Sequence, residues 1–258
     1  MDGQVAGGWT GGWTGAPGPG TVPDVTEIVT AAGPAEVVLD QPADGRPRFL
    51  VVLTHGAGGT PDTSDVLAVR YAVAALGAAT ALVTQPYRVR GGRAPGSAVK
   101  QDAAWAELVG VLRRETAHDG RPLPLIQCGR SNGARVVCRT APQVGAAGVI
   151  ALAFPLHPPG QPAKSRDGEL RAAGTSVLVV NGERDPFGVP APDGSTDVVV
   201  LPGEAHALSR HPAAAGDVVT AWLLSPGGTP YRACGESRGE MTPRAPGKAG
   251  SPIPRLGI

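Results

Sequence analysis

The chain has 258 residues and carries 23 Lys and Arg against 22 Asp and Glu, a formal net charge of +1. That balance leaves no electrostatic footprint for nucleic acid or an anionic membrane as partner. Three cysteines cannot all pair with one another. Free thiols in a reducing compartment are therefore expected, and with no apolar stretch of signal or membrane-spanning length the expected location is cytoplasmic.

Residues 1–24 are Gly- and Pro-rich and repeat G-G-W-T in tandem (Gly7 to Thr10, Gly11 to Thr14), too little apolar area to order a segment. A disordered tail is expected there, with Trp9 and Trp13 in it, and a second one over 227–258, where Gly, Pro and Arg dominate and Cys234 lies. Between them, residues 25–226 read as one domain, long enough to bury about 70% of its extended-chain surface with no disulfide or metal.

Short β-branched runs alternate with helix-length segments along this middle part. Strands are expected at Glu36 to Leu39, Phe49 to Leu53, Ala81 to Thr84, Leu123 to Cys128, Gly148 to Ala153, Ser176 to Val180 and Asp197 to Leu201. Helices are expected at Ser64 to Leu76, Ala98 to Thr116, Asn132 to Ala141 and Ala213 to Leu224, with one short turn of helix at Ala163 to Ala172. In the second helix Trp105, Leu108, Val109 and Leu112 recur at helical spacing, which marks Trp105 as core. The alternation predicts an α/β fold, a mainly parallel sheet with helices on both faces. Only about twenty residues join the strand ending near Ala153 to the next, too few for an inserted cap domain.

Three segments carry the chemistry. The run ending at Cys128 leads into Gly129-Arg130-Ser131-Asn132-Gly133, a G-x-S-x-G pentad between a strand and a helix. A chain that turns this sharply holds the serine hydroxyl out into a cleft, and the flanking glycines permit the turn, so Ser131 is the candidate nucleophile. Downstream come Asp185, in N-G-E-R-D-P-F-G, and His206, in the loop after the strand at Asp197 to Leu201. The order Ser, Asp, His is that of α/β hydrolases among the serine-hydrolase folds. Serine is a poor nucleophile until a base takes its proton, imidazole is suited to that task, and a carboxylate on the second ring nitrogen orients the imidazole. Glu183 and Asp197 are rivals to Asp185, and His211 and His118 are rivals to His206.

Upstream, T-H-G-A-G-G (Thr54 to Gly59) follows a buried strand, as an oxyanion-binding loop does. The expected donors are the backbone N–H groups of Ala57 and of Asn132, with Gly56 and Gly58 shaping the approach to substrate. His157, in the loop after the strand at Gly148 to Ala153, is either a rim residue that positions substrate or a turn histidine bonded to backbone. Arg93 either binds an anionic group of the substrate or pairs with a nearby acid. No histidine or acid pair has the spacing of a metal site, and no cofactor is expected.

Taken together, H-G-A-G-G, G-R-S-N-G-A-R, F-P-L-H-P-P-G-Q-P (Phe154 to Pro162), R-D-P-F-G and G-E-A-H resemble the α/β-hydrolase family that groups the testis-expressed hydrolase-like protein with the third subunit of the NSL histone acetyltransferase regulatory complex. The segment Gln85 to Pro95 resembles that family's loop after the next strand. The chain departs from the family at Asn132, where Met is usual, and at Ala205, where an acidic residue is usual. The resemblance implies an α/β-hydrolase fold with dienelactone hydrolases and esterases among its wider relatives, and some members serve as subunits of complexes. Two functions are therefore open: a serine hydrolase acting on a small-molecule ester or thioester, or a non-catalytic interaction protein.

Overall fold

A computed structural model of the chain describes residues 24–225. The expected tails, with Trp9, Trp13 and Cys234, fall outside the described residues apart from Asp24. Eight strands form one sheet: β1 (Val25–Thr30), β2 (Gly33–Asp40), β3 (Phe49–Thr54), β4 (Ala78–Thr84), β5 (Leu125–Arg130), β6 (Gly148–Leu152), β7 (Val177–Gly182) and β8 (Thr196–Leu201). The helices are α1 (Ser64–Ala75), α2 (Pro86–Val89), α3 (Ala98–Glu115), α4 (Asn132–Val144), α5 (Asp167–Arg171) and α6 (Pro212–Leu224). None of them is long and apolar enough to cross a membrane.

The spatial order is β1-β2-β4-β3-β5-β6-β7-β8, parallel from β4 through β8 and antiparallel where β2 meets β1 and β4. The sequence dictates which strands lie inside. β3, β6 and β7 bury every residue, as strands covered on both faces must. β1 instead exposes Val25 and Val29 and buries Ile28, the alternation of an edge strand. Within β3 the side chains divide by parity. Leu50 and Val52 join Trp105, Leu108 and Val137 in the core under α3 and α4, while Val51 and Leu53 join Val66, Val69 and Trp222 in the core under α1 and α6.

Several boundaries differ from the sequence reading, each for an identifiable reason. β1 was not expected, because a single-sided edge strand next to a low-complexity head carries a weak signal. It is held by its hairpin to β2, where Thr30 Oγ1 donates to the Gly33 carbonyl at 2.8 Å and the Glu107 carboxylate accepts the Ala31 N–H at 2.7 Å. β4 starts three residues early at Ala78, since pairing with Phe49 and Leu50 overrides the poor strand preference of alanine. β5 begins at Leu125 and runs on to Arg130, which carries the strand to the edge of the serine turn.

The chain leaves β3 toward β4 on one side and reaches β5 on the other. The connections that leave β3 and β5 therefore run to opposite sides, the topological switch point at which open α/β sheets bind ligands. The connection from β6 to β7 contains only the five-residue α5 and no inserted cap. α5 is pinned from below: Glu169 receives Arg135 at 2.6 Å and Arg139 at 2.7 Å, and Arg139 also binds Asp102 on α3 at 2.6 Å. Partial burial of the Glu169 carboxyl is outweighed by these two guanidinium groups, which hold its pKa below the usual carboxylate value.

Candidate active site

Ser131 sits at the junction of β5 and α4 with φ 52° and ψ −112°. A non-glycine residue held there stores strain of about 1–3 kcal/mol. Steric contact shows why the pentad needs its glycines. A Cβ added to Gly129 would stand 2.3 Å from the carbonyl carbon and oxygen of Gly133, and one added to Gly133 would stand 2.6 Å from the carbonyl oxygen of His55. Strand, helix and the loop after β3 thus touch backbone to backbone. Serine at a helix N-cap ordinarily caps the helix with its hydroxyl. Here Oγ makes no capping bond and lies 2.9 Å from His206 Nε2.

The second nitrogen of that ring, Nδ1, lies 2.8 Å from Asp185 Oδ2. Asp185 is buried, and its other oxygen accepts the Phe187 N–H at 2.9 Å. The Phe187 ring lies against the imidazole with centroids 4.3 Å apart. Ser131, His206 and Asp185, separated widely in sequence, are therefore brought into one hydrogen-bonded chain. The rivals are engaged elsewhere. Glu183 accepts the Gly203 N–H at 2.8 Å, Asp197 accepts the Trp222 indole N–H at 2.9 Å, His118 faces Asp119 on an exposed turn, and His211 precedes α6.

On the opposite side of the serine, Gly56 approaches so closely that a Cβ on it would lie 3.1 Å from the Ser131 Cβ. The loop is set by His55, which is fully buried. Its Nε2 accepts the Gln85 N–H at 3.0 Å, so the proton resides on Nδ1, which donates to the Gly56 carbonyl at 2.8 Å. Burial holds the His55 pKa below the usual imidazole value, opposed by the Gly56 hydrogen bond and aided by the Arg88 charge. The Gly56 carbonyl also receives the Gly59 N–H at 3.2 Å and the Tyr87 hydroxyl at 3.4 Å. In a planar trans peptide C=O and N–H point oppositely. Drawing the Gly56 oxygen inward therefore turns the Ala57 N–H outward, at an exposed residue. Asn132 opens α4, and a first-turn N–H has no acceptor inside its helix. Its side-chain Nδ2 is buried without a partner among the described residues.

Of the remaining sequence candidates, Gly58 adopts φ 70° beside the Arg93 carbonyl. Arg93 is exposed and makes no ion pair among the described residues, so its pairing with a nearby acid is not what the structure contains. His157 takes the turn role: its Nδ1 lies 2.9 Å from the Pro158 carbonyl, its N–H donates to Phe187 at 3.0 Å, and its ring packs against Gly188. The H-P-P-G segment thereby braces the loop that carries Asp185. Cys128 and Cys138 are buried free thiols, and burial pushes both thiol pKa values up, that of Cys138 to about 12.

Four residues escaped the sequence reading. Asn181 is fully buried and ties the Asp185 loop to the loop after β6, accepting the Phe154 N–H at 2.9 Å and donating to the Gly188 carbonyl at 3.1 Å. Glu204 accepts the N–H groups of Arg210 and His211 at 3.3 and 2.6 Å. Asp65, fully buried on α1, accepts Arg130 Nε at 3.0 Å, and Arg130 Nη2 reaches the His206 carbonyl at 3.1 Å. The position of Arg130 inside the pentad was the one signal available for this last pair.

Residues 47–193 match the family described as alpha/beta hydrolase domain. No curated protein matches the chain. Among solved structures, Est1E from Butyrivibrio proteoclasticus is similar at a TM-score of 0.59 and 17% identity, over 78% of this chain and 97% of that one. An α/β serine hydrolase without lid from Xanthomonas campestris is similar at 0.59 and 19%, over 81% and 99%. A dienelactone hydrolase from Anabaena variabilis is similar at 0.57 and 16%, over 78% and 97%. At these identities the likeness is one of fold.

Proposed function

We propose that this chain, which belongs to the alpha/beta hydrolase domain family, is a serine hydrolase that cleaves a small ester or thioester through an acyl-enzyme on Ser131. The observation that carries the reading is the continuous chain Asp185–His206–Ser131, at 2.8 and 2.9 Å, ending on a serine in strained backbone. In the first step His206 Nε2 takes the hydroxyl proton as Oγ bonds to the substrate carbonyl carbon, and the carbonyl oxygen becomes an oxyanion. The N–H groups of Ala57 and Asn132 receive that charge; one such donor is worth about 3 kcal/mol in the transition state. Collapse breaks the bond to the alcohol or thiol, which leaves with the proton held by His206. Water then attacks the acyl-enzyme with His206 as base and releases the acid, while Asp185 stabilises each transient imidazolium.

Esterases and a dienelactone hydrolase among the fold neighbours support an ester-type substrate. The H-P-P-G and R-D-P-F-G segments support the narrower grouping with the testis-expressed hydrolase-like protein and the NSL subunit. The short β6–β7 connection supports short or polar acyl groups, since it builds no apolar tunnel over Ser131. Gly56, Gly58 and Arg93 border the approach to the serine in this reading, and Arg93 offers a charge to an anionic substrate group. The buried Asn132 Nδ2 offers a further donor.

A fluorophosphonate should label the protein at Ser131, and Ser131→Ala should keep the melting temperature while losing about 10⁴-fold or more in turnover. Labelling that persists in Ser131→Ala would place the nucleophile elsewhere. Across p-nitrophenyl acetate, butyrate, octanoate and palmitate, kcat/KM should not rise by the ~0.8 kcal/mol per methylene of full burial. A steady rise toward palmitate would reveal an acyl channel.

A further inference from the structure

A cavity of about 450 Å³ opens at the antiparallel side of the sheet, bounded by the β1–β2 turn, α2 and the first half of α3. Its size is that of a small-molecule site. Ser131, His206 and Asp185 take no part in its wall. Two wall residues face the other way as well: Gln85 gives its N–H to His55, and Tyr87 gives its hydroxyl to the Gly56 carbonyl. The cavity therefore lies behind the loop that approaches Ser131, not in front of it.

The wall has a definite chemistry. Its inner part is apolar, with Val83, Trp105 and Leu108 all buried. Its charged members are Lys100 and Arg90, and no acidic residue lines it. Arg90 is committed to the Ala32 carbonyl. Lys100 is exposed and forms no ion pair among the described residues. The carboxylate of Glu107, on the same helix, is occupied by the Ala31 N–H at 2.7 Å and lies outside the wall.

From this pairing of an apolar pocket with uncompensated positive charge, we infer that the cavity is a second binding site, one that takes a small amphiphilic anion. The ligand's apolar body, a ring or short chain, lies against Trp105 and Leu108, and its carboxylate or other single anionic group meets Lys100. A cation of the same shape is repelled by both basic residues. A neutral isostere fills the apolar part but forgoes the charge-assisted hydrogen bond to the ammonium group. The site owes nothing to the chemistry proposed for Ser131, and the two can fail separately.

The probe is 4-phenylbutyrate, with 4-phenylbutyramide as its uncharged counterpart, titrated calorimetrically into the full chain and followed by tryptophan fluorescence. The acid should bind with a sub-millimolar Kd, equally to the wild-type chain, to Ser131→Ala and to protein already modified at Ser131 by a phosphonate. The amide should bind about 10-fold more weakly, and Lys100→Glu should weaken the acid by at least about 10-fold, the factor that corresponds to ~1.4 kcal/mol for one charge-assisted contact. Trp105→Phe should remove the fluorescence response while calorimetric binding persists. The inference is overturned by no measurable heat at millimolar probe, by equal affinity for acid and amide, by binding indifferent to Lys100→Glu, by a response retained in Trp105→Phe, or by binding lost when Ser131 is modified, which would move the ligand to the serine.

Discussion

The turn at Ser131 and the loop at His206 meet through the Ser131–His206 hydrogen bond and through Arg130 on the His206 carbonyl, and they are held in place by different physics. The serine turn is set by contact between backbones: Gly129 against Gly133, Gly133 against the His55 carbonyl, and the Ser131 N–H bonded to the Leu152 carbonyl at 2.9 Å. The histidine loop has one comparable approach, where a Cβ on Gly182 would lie 2.5 Å from the Glu204 oxygen. Backbone bonds from the Arg184 N–H to the Glu204 carbonyl at 2.8 Å and from the Leu208 N–H to the Ala205 carbonyl at 3.1 Å add to it. Side chains supply most of the rest: Glu204 beneath the backbone of Arg210 and His211, Arg130 on the His206 carbonyl, Asp185 on the ring nitrogen and Phe187 on the ring face. A steric restraint is all or nothing. A restraint made of separate hydrogen bonds can be loosened one bond at a time.

The sharpest way to break this contrast is Gly129→Ala. The new methyl group has no flexible neighbour to displace, only the backbone of α4, so β5 and α4 must separate. A loss of about 3 kcal/mol or more in unfolding free energy, read from urea denaturation, is expected; wild-type stability would mean that the turn is not sterically defined. A smaller effect is expected from Arg130→Lys, which keeps a cation beside the buried Asp65 but cannot span both Asp65 and the His206 carbonyl. With the proposed hydrolysis as readout, kcat should fall about 10-fold with KM within about twofold, the signature of an interaction that matters only as the base acts. An unchanged kcat would make Arg130 a structural tie alone.

The smallest effect belongs to His55, whose loop faces the serine turn but hangs on a titratable ring. Its pKa is depressed in the folded protein and near 6.5 in an unfolded chain. Below about pH 6.5 the unfolded chain binds a proton that the folded one refuses, so the stability present above that pH is lost as pH falls, at no more than about 1.4 kcal/mol per unit. The loss levels off once the folded ring protonates. Melting temperatures of the wild-type chain and His55→Gln between pH 7.5 and 5.5 should diverge in slope, the variant being flatter. This window lies above the one in which the Arg-paired Glu169 titrates. Parallel slopes would show that His55 is not buried in its neutral form.

The same division explains what could be read in advance. Sterically determined features act at fixed spacing along the chain, so G-x-S-x-G between a strand and a helix was legible, as were β3, β6 and β7, whose unbroken apolar runs leave no other place for them. The order of Ser131, Asp185 and His206 was legible because topology alone orders them. The ties of Arg130 to Asp65 and to His206 span 65 and 76 residues, and no local pattern marks an acid as the one that will be buried opposite a given arginine. Asn181 was hidden for the same reason, its tie to Phe154 spanning 27 residues, whereas Glu204 acts within its own loop on Arg210 and His211, where no periodic pattern marks it. His157 looked equally suited to substrate and to backbone until the fold placed Gly188 against its ring. Trp105 was correctly read as core from its spacing, but that its neighbours leave a cavity is a property of how α3 meets the β1–β2 turn, and β1 itself was missed.

The brevity of the β6–β7 connection bears on the fate of any acyl group carried by Ser131. Enzymes that close over their intermediates exclude water and can choose which acceptor receives the group. Here the intervening chain is spent on the H-P-P-G turn and the five residues of α5, and none of it forms a hinged cover. In the proposed reaction, an acyl-serine at this turn would stay in contact with bulk solvent throughout its lifetime, so its partition between acceptors would follow their abundance. In dilute aqueous alcohol the expected product is then overwhelmingly the free acid, with acyl transfer to the alcohol a minor channel.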